Sequence, residues 1–433
     1  MRSFFQHYGM AAVLLLLAAC FSLATLREQP SEGADAAKAL VADVHGNSIL
    51  IVSTSTPSDR EFATAAEAAL RARGEATLIA KVTGEPADAR KALDDLVAKS
   101  TKLDAIIASQ SASQWLLFAN VAQDFPALGA PRLVQPSSQK WPSFLKRDNL
   151  LNIANQIAVI AIIAIGMTMV IITGGIDLSV GSLIALSAVV STLMIRQHAG
   201  AENAGTIGMI GSCLAALIIC AATGAINGWL VTRWGLPPFI VTLVTMLAAS
   251  GAAYRLADGQ SIYQVPESFI WLGRGADVFS LPNAVLLMLV LYVAAHLFMK
   301  HTTMGRYLYA VGGNREAAML SGLSVSGVLI FAYTTSGLLA GLGGVVMASQ
   351  LKSGSPTYGQ MYELFVIAAV VVGGTSLNGG KGRMFGTLIG AFIIAVIQNG
   401  MNLMNIESYT QKIVLGLVIL GAVLIDRMPW MRR

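Results

Sequence analysis

Asp177 stands between two apolar runs of helix length, within Thr173-Gly174-Gly175-Ile176-Asp177-Leu178-Ser179-Val180-Gly181-Ser182. A carboxylate in that setting has two uses. It can cap the helix that follows, because Asp and Ser accept from the free amides of a helix start, or it can face protein or water inside a membrane. Asn227, Gln398, Asn399 and Asn402 are further polar side chains in apolar runs, suited to helix-to-helix hydrogen bonds or to a polar pathway. Nucleotide chemistry lacks its loop. Thr375-Ser376-Leu377-Asn378-Gly379-Gly380-Lys381-Gly382 approaches the Gly-x-x-x-x-Gly-Lys-Ser/Thr pattern without its first glycine or final hydroxyl, and reads as a tight turn. Cys20, Cys213 and Cys220 all sit in apolar runs, so neither a disulfide nor a metal site is expected from them.

Composition sets the elements that must position these residues. Of 433 residues, 55% are hydrophobic and 12% charged, against about a quarter charged in globular proteins, so lipid is the solvent for most of the chain. The 42 glycines against 13 prolines fit membrane helices whose backbones pack closely. The net charge of +5 comes mostly from basic residues beside helix ends, which is a topology signal and gives no reason to expect a nucleic-acid partner.

The chain opens with an apolar run from Gly9 to about Thr25 behind Arg2 and His7. It reads as a retained first helix or as a cleaved signal, and Leu17-Ala18-Ala19-Cys20 resembles the box before a lipid-modified cysteine. The retained helix is expected, because the rest of the chain is polytopic. From Arg27 to Arg147 the character changes: about half of all charges fall here, with the signs balanced, as in a water-facing domain. Strands are expected at Ser48–Ser53, Ala76–Val82 and Leu103–Ile107, and helices at Asp59–Arg73, Ala87–Lys99 and Ser111–Ala122, leading to Pro131–Val134. That alternation predicts a small parallel sheet covered on both faces.

Nine further spans are expected at about 150–173, 178–195, 206–231, 238–257, 281–299, 325–349, 362–374, 384–400 and 411–426, the seventh short enough to be re-entrant. With the first helix the total is ten, which puts both termini on one side. The positive-inside rule makes that side the cytoplasm: Arg233, Lys300, Arg306, Arg315, Lys381, Arg383 and the tail Asp426–Arg433 fall inside. The Rossmann-like α/β insert is then extracytoplasmic. The longest inner loop, Lys300 to Ser324, predicts a short amphipathic surface helix that Asn314 caps and Gly322 ends. It reads as a docking element or as an ordinary interfacial helix.

Glu316-Ala317-Ala318 followed by Gly322 resembles the ATPase-docking loop of importer permeases, and the stretch from Thr173 to Ser182 resembles the signature of the ribose/xylose-type permease family. Pro238–Leu243 and Ala368–Leu377 with Gly379-Gly380 match the same family in the same order, so the resemblance runs from about Phe144 to Asp426. It implies a membrane subunit that works as a pair of permeases, homodimer or heterodimer, with two ATPase subunits inside and a periplasmic binding protein outside. ATP and Mg would be used by the partner, and this chain would hold no cofactor. By that likeness Gly313, Asn314, Glu316, Ala317, Ala318 and Gly322 form the coupling element, while Thr173, Gly174, Gly175, Asp177, Ser179, Asn227 and Asn399 shape the translocation pathway or a helix break beside it.

Three features depart from the family. Ser250-Gly251 stands where relatives usually carry Arg before Gly, and Phe365 stands where they usually carry Asp after Glu-Leu; losing both together avoids an unpaired charge. The third departure is the insert. It resembles the first lobe of periplasmic sugar-binding proteins, with Ser53, Thr54, Ser55 and Asp59 in its strand-end loop serving a ligand or a docking partner. That loop lacks a sugar-stacking aromatic residue and a Gly-rich dinucleotide fingerprint. The expected organisation is therefore a first transmembrane helix over 1–26, an α/β insert over 27–143 and a permease domain over 144–433. The leading function is import of a sugar or similar small polar solute. A membrane sensor or scaffold, and an ion-coupled transporter with its paired midplane charges, are the rivals.

Overall fold

A computed structural model describes residues 2–31, 33–44, 46–74, 77–278 and 280–427. Met428–Arg433 of the basic tail, Glu75, and Ala76 at the start of one expected strand lie outside the described residues. The chain divides into two compact units, Leu26–Pro142 and Met1–Thr25 with Ser143–Arg433. The first helix, α1 (Arg2–Ala24), belongs to the latter.

The unit Leu26–Pro142 runs β1 (Leu26–Pro30), α2 (Gly33–Ala42), β2 (Ser48–Ser53), α3 (Pro57–Arg73), β3 (Thr77–Thr83), α4 (Pro86–Ala98), β4 (Ala105–Ala108), the one-turn helices α5 (Gln110–Ser113) and α6 (Val121–Asp124), β5 (Arg132–Val134) and β6 (Ser138–Pro142). Four strands form a parallel sheet in the order β3-β2-β4-β5. Strand alternation explains the continuous apolar run in β2. Ile49 and Ile51 pack with Phe62 and Leu70 of α3, while Leu50 and Val52 face Leu93 of α4 on the other side. Thr56 caps α3, Pro57 occupies its first turn, and Gly74 ends it at φ 70°. Lys81 donates to Glu67 at 2.9 Å and, with Arg71 nearby, holds that carboxyl below the usual carboxylate range.

The continuous helix expected over Ser111–Ala122 is a correction, for the segment breaks into short turns. At 3.6 residues per turn, Val121 would lie about 180° around the axis from Ala112, so one straight helix cannot turn both into the same core. Extended backbone at Trp115 brings Ala112, Phe118, Val121 and Phe125 to one core. The helix α2 and the antiparallel pair of β1 and β6, Leu26 opposite Pro142, had no clear mark in the sequence.

The other unit continues with α7 (Arg147–Ile172), α8 (Val180–His198), α9 (Thr206–Arg233), α10 (Pro238–Leu256), the single turn α11 (Trp271–Arg274), α12 (Asn283–His301), α13 (Thr303–Gly313), α14 (Arg315–Leu320), α15 (Val325–Leu351), α16 (Tyr362–Val372), α17 (Met384–Leu403) and α18 (Ser408–Arg427). Among the described residues, seven helices are long and apolar enough to cross a membrane: α7, α8, α9, α10, α12, α15 and α17. Shorter apolar helices lie at Gly9–Ala24, Tyr362–Val372 and Ser408–Gly421.

Every residue of α7 from Ile157 to Ile172 is buried, as an all-round apolar helix requires. By contrast, α9, α10 and α12 expose Ile218, Leu247, Val290 and other large apolar side chains on one side, where hydrocarbon is their solvent. The long helix α15 packs against α7, α8 and α9. Its approach to α9 is set by small residues. Gly224 of α9 meets Gly337 of α15, Gly228 lies against the Ile330 backbone and Gly341 against Cys220, and a Cβ on Gly224 would overlap the Tyr333 carbonyl. Gly224→Leu is therefore expected to abolish monodisperse elution on size exclusion in detergent, whereas Ala222→Leu on the exposed side of α9 elutes as the parent does. Equal elution of the two variants would rule out this packing.

Candidate functional site

The polar stretch begins where α7 stops. Thr173 caps the helix, and Gly174 turns the chain at φ 80°, a conformation L side chains rarely adopt. Gly175 N–H donates to the Val170 carbonyl and Gly174 N–H to that of Ile171, the paired bonds of a Schellman end. The glycine pair therefore closes a helix and aims the chain at Asp177.

Asp177 is fully buried. Its Oδ1 accepts from the Ser179 amide (3.0 Å) and the Ser179 hydroxyl (2.6 Å), and its Oδ2 accepts from Ser336 Oγ of α15 (2.8 Å). The Ser179 oxygen in turn accepts from Asn227 Nδ2 of α9 (3.3 Å), and Asn227 Oδ1 accepts from Thr245 Oγ1 of α10 (2.6 Å). One carboxylate thus ties the start of α8 to α15 and, through Ser179 and Asn227, to α9 and α10. No ion pair among the described residues includes it. The residue before α8 is Ser179, whose side chain makes no capping bond; Asp177 takes the Ser179 amide instead, two residues on. Tyr333 Oη is buried with no hydrogen-bond partner among the described residues, and it packs where a Cβ on Gly175 would sit.

Asn399 lies apart from this cluster and makes reciprocal amide bonds with Asn149 of α7, at 2.8 and 3.0 Å. Phe365 packs into the membrane core beside Tyr362, so an aromatic ring fills that position; Ser250 is half-buried on α10. Sequence reasoning missed Ser336, Thr245 and Tyr333. Hydroxyls scattered in apolar helices carry no periodic mark, and the available signal was indirect: a buried Asp without a basic neighbour needs donors from elsewhere.

At one end of the bundle, α13 and α14 form an exposed corner. Asn314 Oδ1 accepts from the Ala317 amide (2.9 Å), and Gly322, at φ 80°, ends α14 while Leu323 N–H reaches the Ala318 carbonyl. Gly313, Glu316 and Ala317 are exposed with Met319 and Leu320, and Ala318 is buried. A cavity of about 420 Å³ adjoins this turn, lined by Glu316, Met319, Leu323 and Thr232 among others. The corner is seated on the end of α7: a Cβ on Gly312 would overlap the Ile172 carbonyl, which also accepts from Gly380 N–H at 2.8 Å. Tyr309 Oη donates to the Gly382 carbonyl (2.8 Å), and Ser376 N–H to that of Lys381 (3.0 Å), so Thr375–Gly382 is a tight turn clamped beneath α13.

In the unit Leu26–Pro142, Asp59 is buried and accepts from Thr54 Oγ1 (2.6 Å) and Ser109 Oγ (2.9 Å), at the carboxyl ends of β2 and β4 where the strand order reverses. Ser53 Oγ pairs with Thr83 Oγ1 (3.0 Å), and Ser55 is exposed. Such switch points are where open parallel sheets take ligands.

Long apolar helices fastened to one another by buried hydroxyl and amide groups define a polytopic membrane protein. The family model described as "Branched-chain amino acid transport system / permease component" matches residues 149–423, and the chain belongs to that family. It is 44% identical over 289 residues to the ribose import permease protein RbsC of Escherichia coli strain K12, covering 66% of this chain and 87% of that one. It is 41% identical to the Bacillus subtilis RbsC over 70% and 92% of the two chains, and 35% identical to the D-allose transport system permease protein AlsC of Escherichia coli over 66% and 85%. The chain is accordingly a transporter permease subunit and not an enzyme. No solved structure matches it.

Asp177→Ala leaves an amide and two hydroxyls buried without an acceptor, which costs about 1–3 kcal/mol per group. The variant is expected to melt well below the parent in detergent, with Ser336→Ala between the two. A parental melting temperature for Asp177→Ala would remove the network's role in holding the helices.

Proposed function

We propose that the chain is the membrane permease subunit of an ATP-driven importer for a sugar or similar small polar solute. The observation that carries this reading is the 44% identity across 87% of a ribose import permease, reinforced by an exposed, capped turn at Glu316 where a docking element is expected. In this reading α14, with Gly313, Asn314, Glu316, Ala317, Ala318 and Gly322, seats in a cleft of an ATPase subunit that uses ATP and Mg. Movement of α14 passes through α13 to the Gly312–Ile172 contact, and from there to the turn at Gly174 and the Asp177 network.

The permease acts as a pair with a second copy or a related chain, and takes its solute from a periplasmic binding protein. It crosses the inner membrane ten times with both termini cytoplasmic, the three shorter apolar helices included, which keeps Arg233, Lys300, Arg306, Arg315, Lys381 and Arg383 inside. Thr173, Gly174, Gly175, Asp177, Ser179, Asn227 and Asn399 shape or position the pathway. The insert is extracytoplasmic, and Ser53, Thr54, Ser55 and Asp59 mark its ligand or docking loop. Of the four, Ser55 is the exposed contact, since Asp59 is engaged by Thr54 and Ser109. A sensor that reads a ligand in the insert would need no ATPase.

Co-purification separates these readings. The unaltered chain is expected to retain an ATPase subunit, and Glu316→Arg or Gly322→Val to weaken retention roughly tenfold, the ratio for about 1.4 kcal/mol, with uptake falling in parallel. Absence of any ATPase from the unaltered complex would sink the importer reading.

A further inference from the structure

The helix ends carry a second site that the transport reading leaves unused. Between the end of α12 and the start of α17 lies a cavity of about 620 Å³, lined by His296, Met299, Lys300, Tyr309, Arg383 and Phe385 among others. Lys300 and Arg383 are both exposed at its rim, and no acidic side chain among the described residues lines it. Arg383 holds the N-cap position of α17 in extended conformation without a side-chain capping bond. Met384 and Phe385, the first turn of that 20-residue helix, form part of the wall, so the positive end of the helix dipole adds to the two cations.

The wall changes character away from the rim. Met299 and Met384 are apolar, and the Phe385 ring packs on His296 with centroids 4.6 Å apart. On α12, Val293, Leu297 and Lys300 follow at i, i+4 and i+7 and share one stripe, with Val293 and Leu297 exposed. Lys300 thus belongs both to the anion-attracting rim and to an exposed apolar stripe of α12. A soluble anion would use only the rim, whereas a lipid uses both, and basic pockets between membrane helices suit anionic headgroups.

We propose that this cavity binds an anionic phospholipid, its phosphate held by Lys300 and Arg383 and one acyl chain lying along Leu297 and Val293. The site is independent of Asp177 and of α14, so it stands whether or not the chain imports sugar. It would fix the end of α12 against α17 and make the protein's stability depend on membrane composition.

The test uses the full chain reconstituted in bilayer discs containing equal phosphatidylglycerol and phosphatidylcholine, with retained lipid read by native mass spectrometry after release into detergent. Phosphatidylglycerol is expected to be retained about five-fold over phosphatidylcholine for each basic residue engaged. Lys300→Glu should bring that ratio close to one with an unchanged melting temperature in detergent free of anionic lipid, and Arg383→Gln serves if Lys300→Glu does not fold. Lys381→Ala, a basic residue outside the cavity, should leave the ratio as it is. Equal retention of the two lipids by the unaltered chain, or an undiminished preference in a folded Lys300→Glu or Arg383→Gln variant, overturns the proposal. Displacement of the lipid by millimolar inorganic phosphate also overturns it and assigns the cavity to a soluble anion.

Discussion

The fold of the membrane unit depends on how one fully buried carboxylate is satisfied. A buried charge or unpaired acid among apolar helices is costly, and that cost falls only when donors converge on it. Asp177 draws its donors from Ser179 beside it and from Ser336 on α15, 159 residues away in the chain. The bonds from Asn227 and Thr245 extend the cluster to α9 and α10. Interhelical bonds of this kind are individually modest, about 0.6 to 2 kcal/mol. Their effect is specific: they fix the turn between α7 and α8 relative to three other helices, where apolar packing alone tolerates sliding.

The same turn lies next to the exposed corner. The Ile172 carbonyl closes the last turn of α7, touches Gly312 at the end of α13, and accepts from Gly380. Two residues further on, Gly174 starts the path to Asp177, and Gly312 is two residues from Asn314, the cap of α14. A force applied at α14 therefore meets backbone contacts without an intervening side chain that could yield. Glycine is required at Gly312 because the approach leaves no room for a Cβ, so the close backbone contact and the composition have one cause.

Much of this was legible in the sequence. The continuous apolar run from Ile49 to Val52 announced a strand buried on both faces, and Asn314 and Gly322 bracketed a short helix by cap chemistry alone. Asp177 stood out because charge is rare among apolar runs. Its partners did not stand out. Ser336 and Thr245 are ordinary in membrane helices, and only the third dimension brings them to the carboxylate. The break near Trp115 was hidden for a different reason: helix propensity favoured one continuous helix, and the need to bury Ala112 together with Val121 overrode it. The pairing of β1 with β6 joins segments of mixed polarity more than a hundred residues apart, which leaves no local pattern to read.

On the proposed reading this unit moves a sugar-like solute at the expense of a partner's ATP hydrolysis. The most direct measurement is accumulation of labelled pentoses and hexoses in proteoliposomes holding the chain with its ATPase and binding protein. Uptake of at least one sugar, dependent on ATP and lost when the ATPase is inactivated, is the result expected. Accumulation of none of them by the complete assembly, or uptake that persists without ATP hydrolysis, would contradict the account.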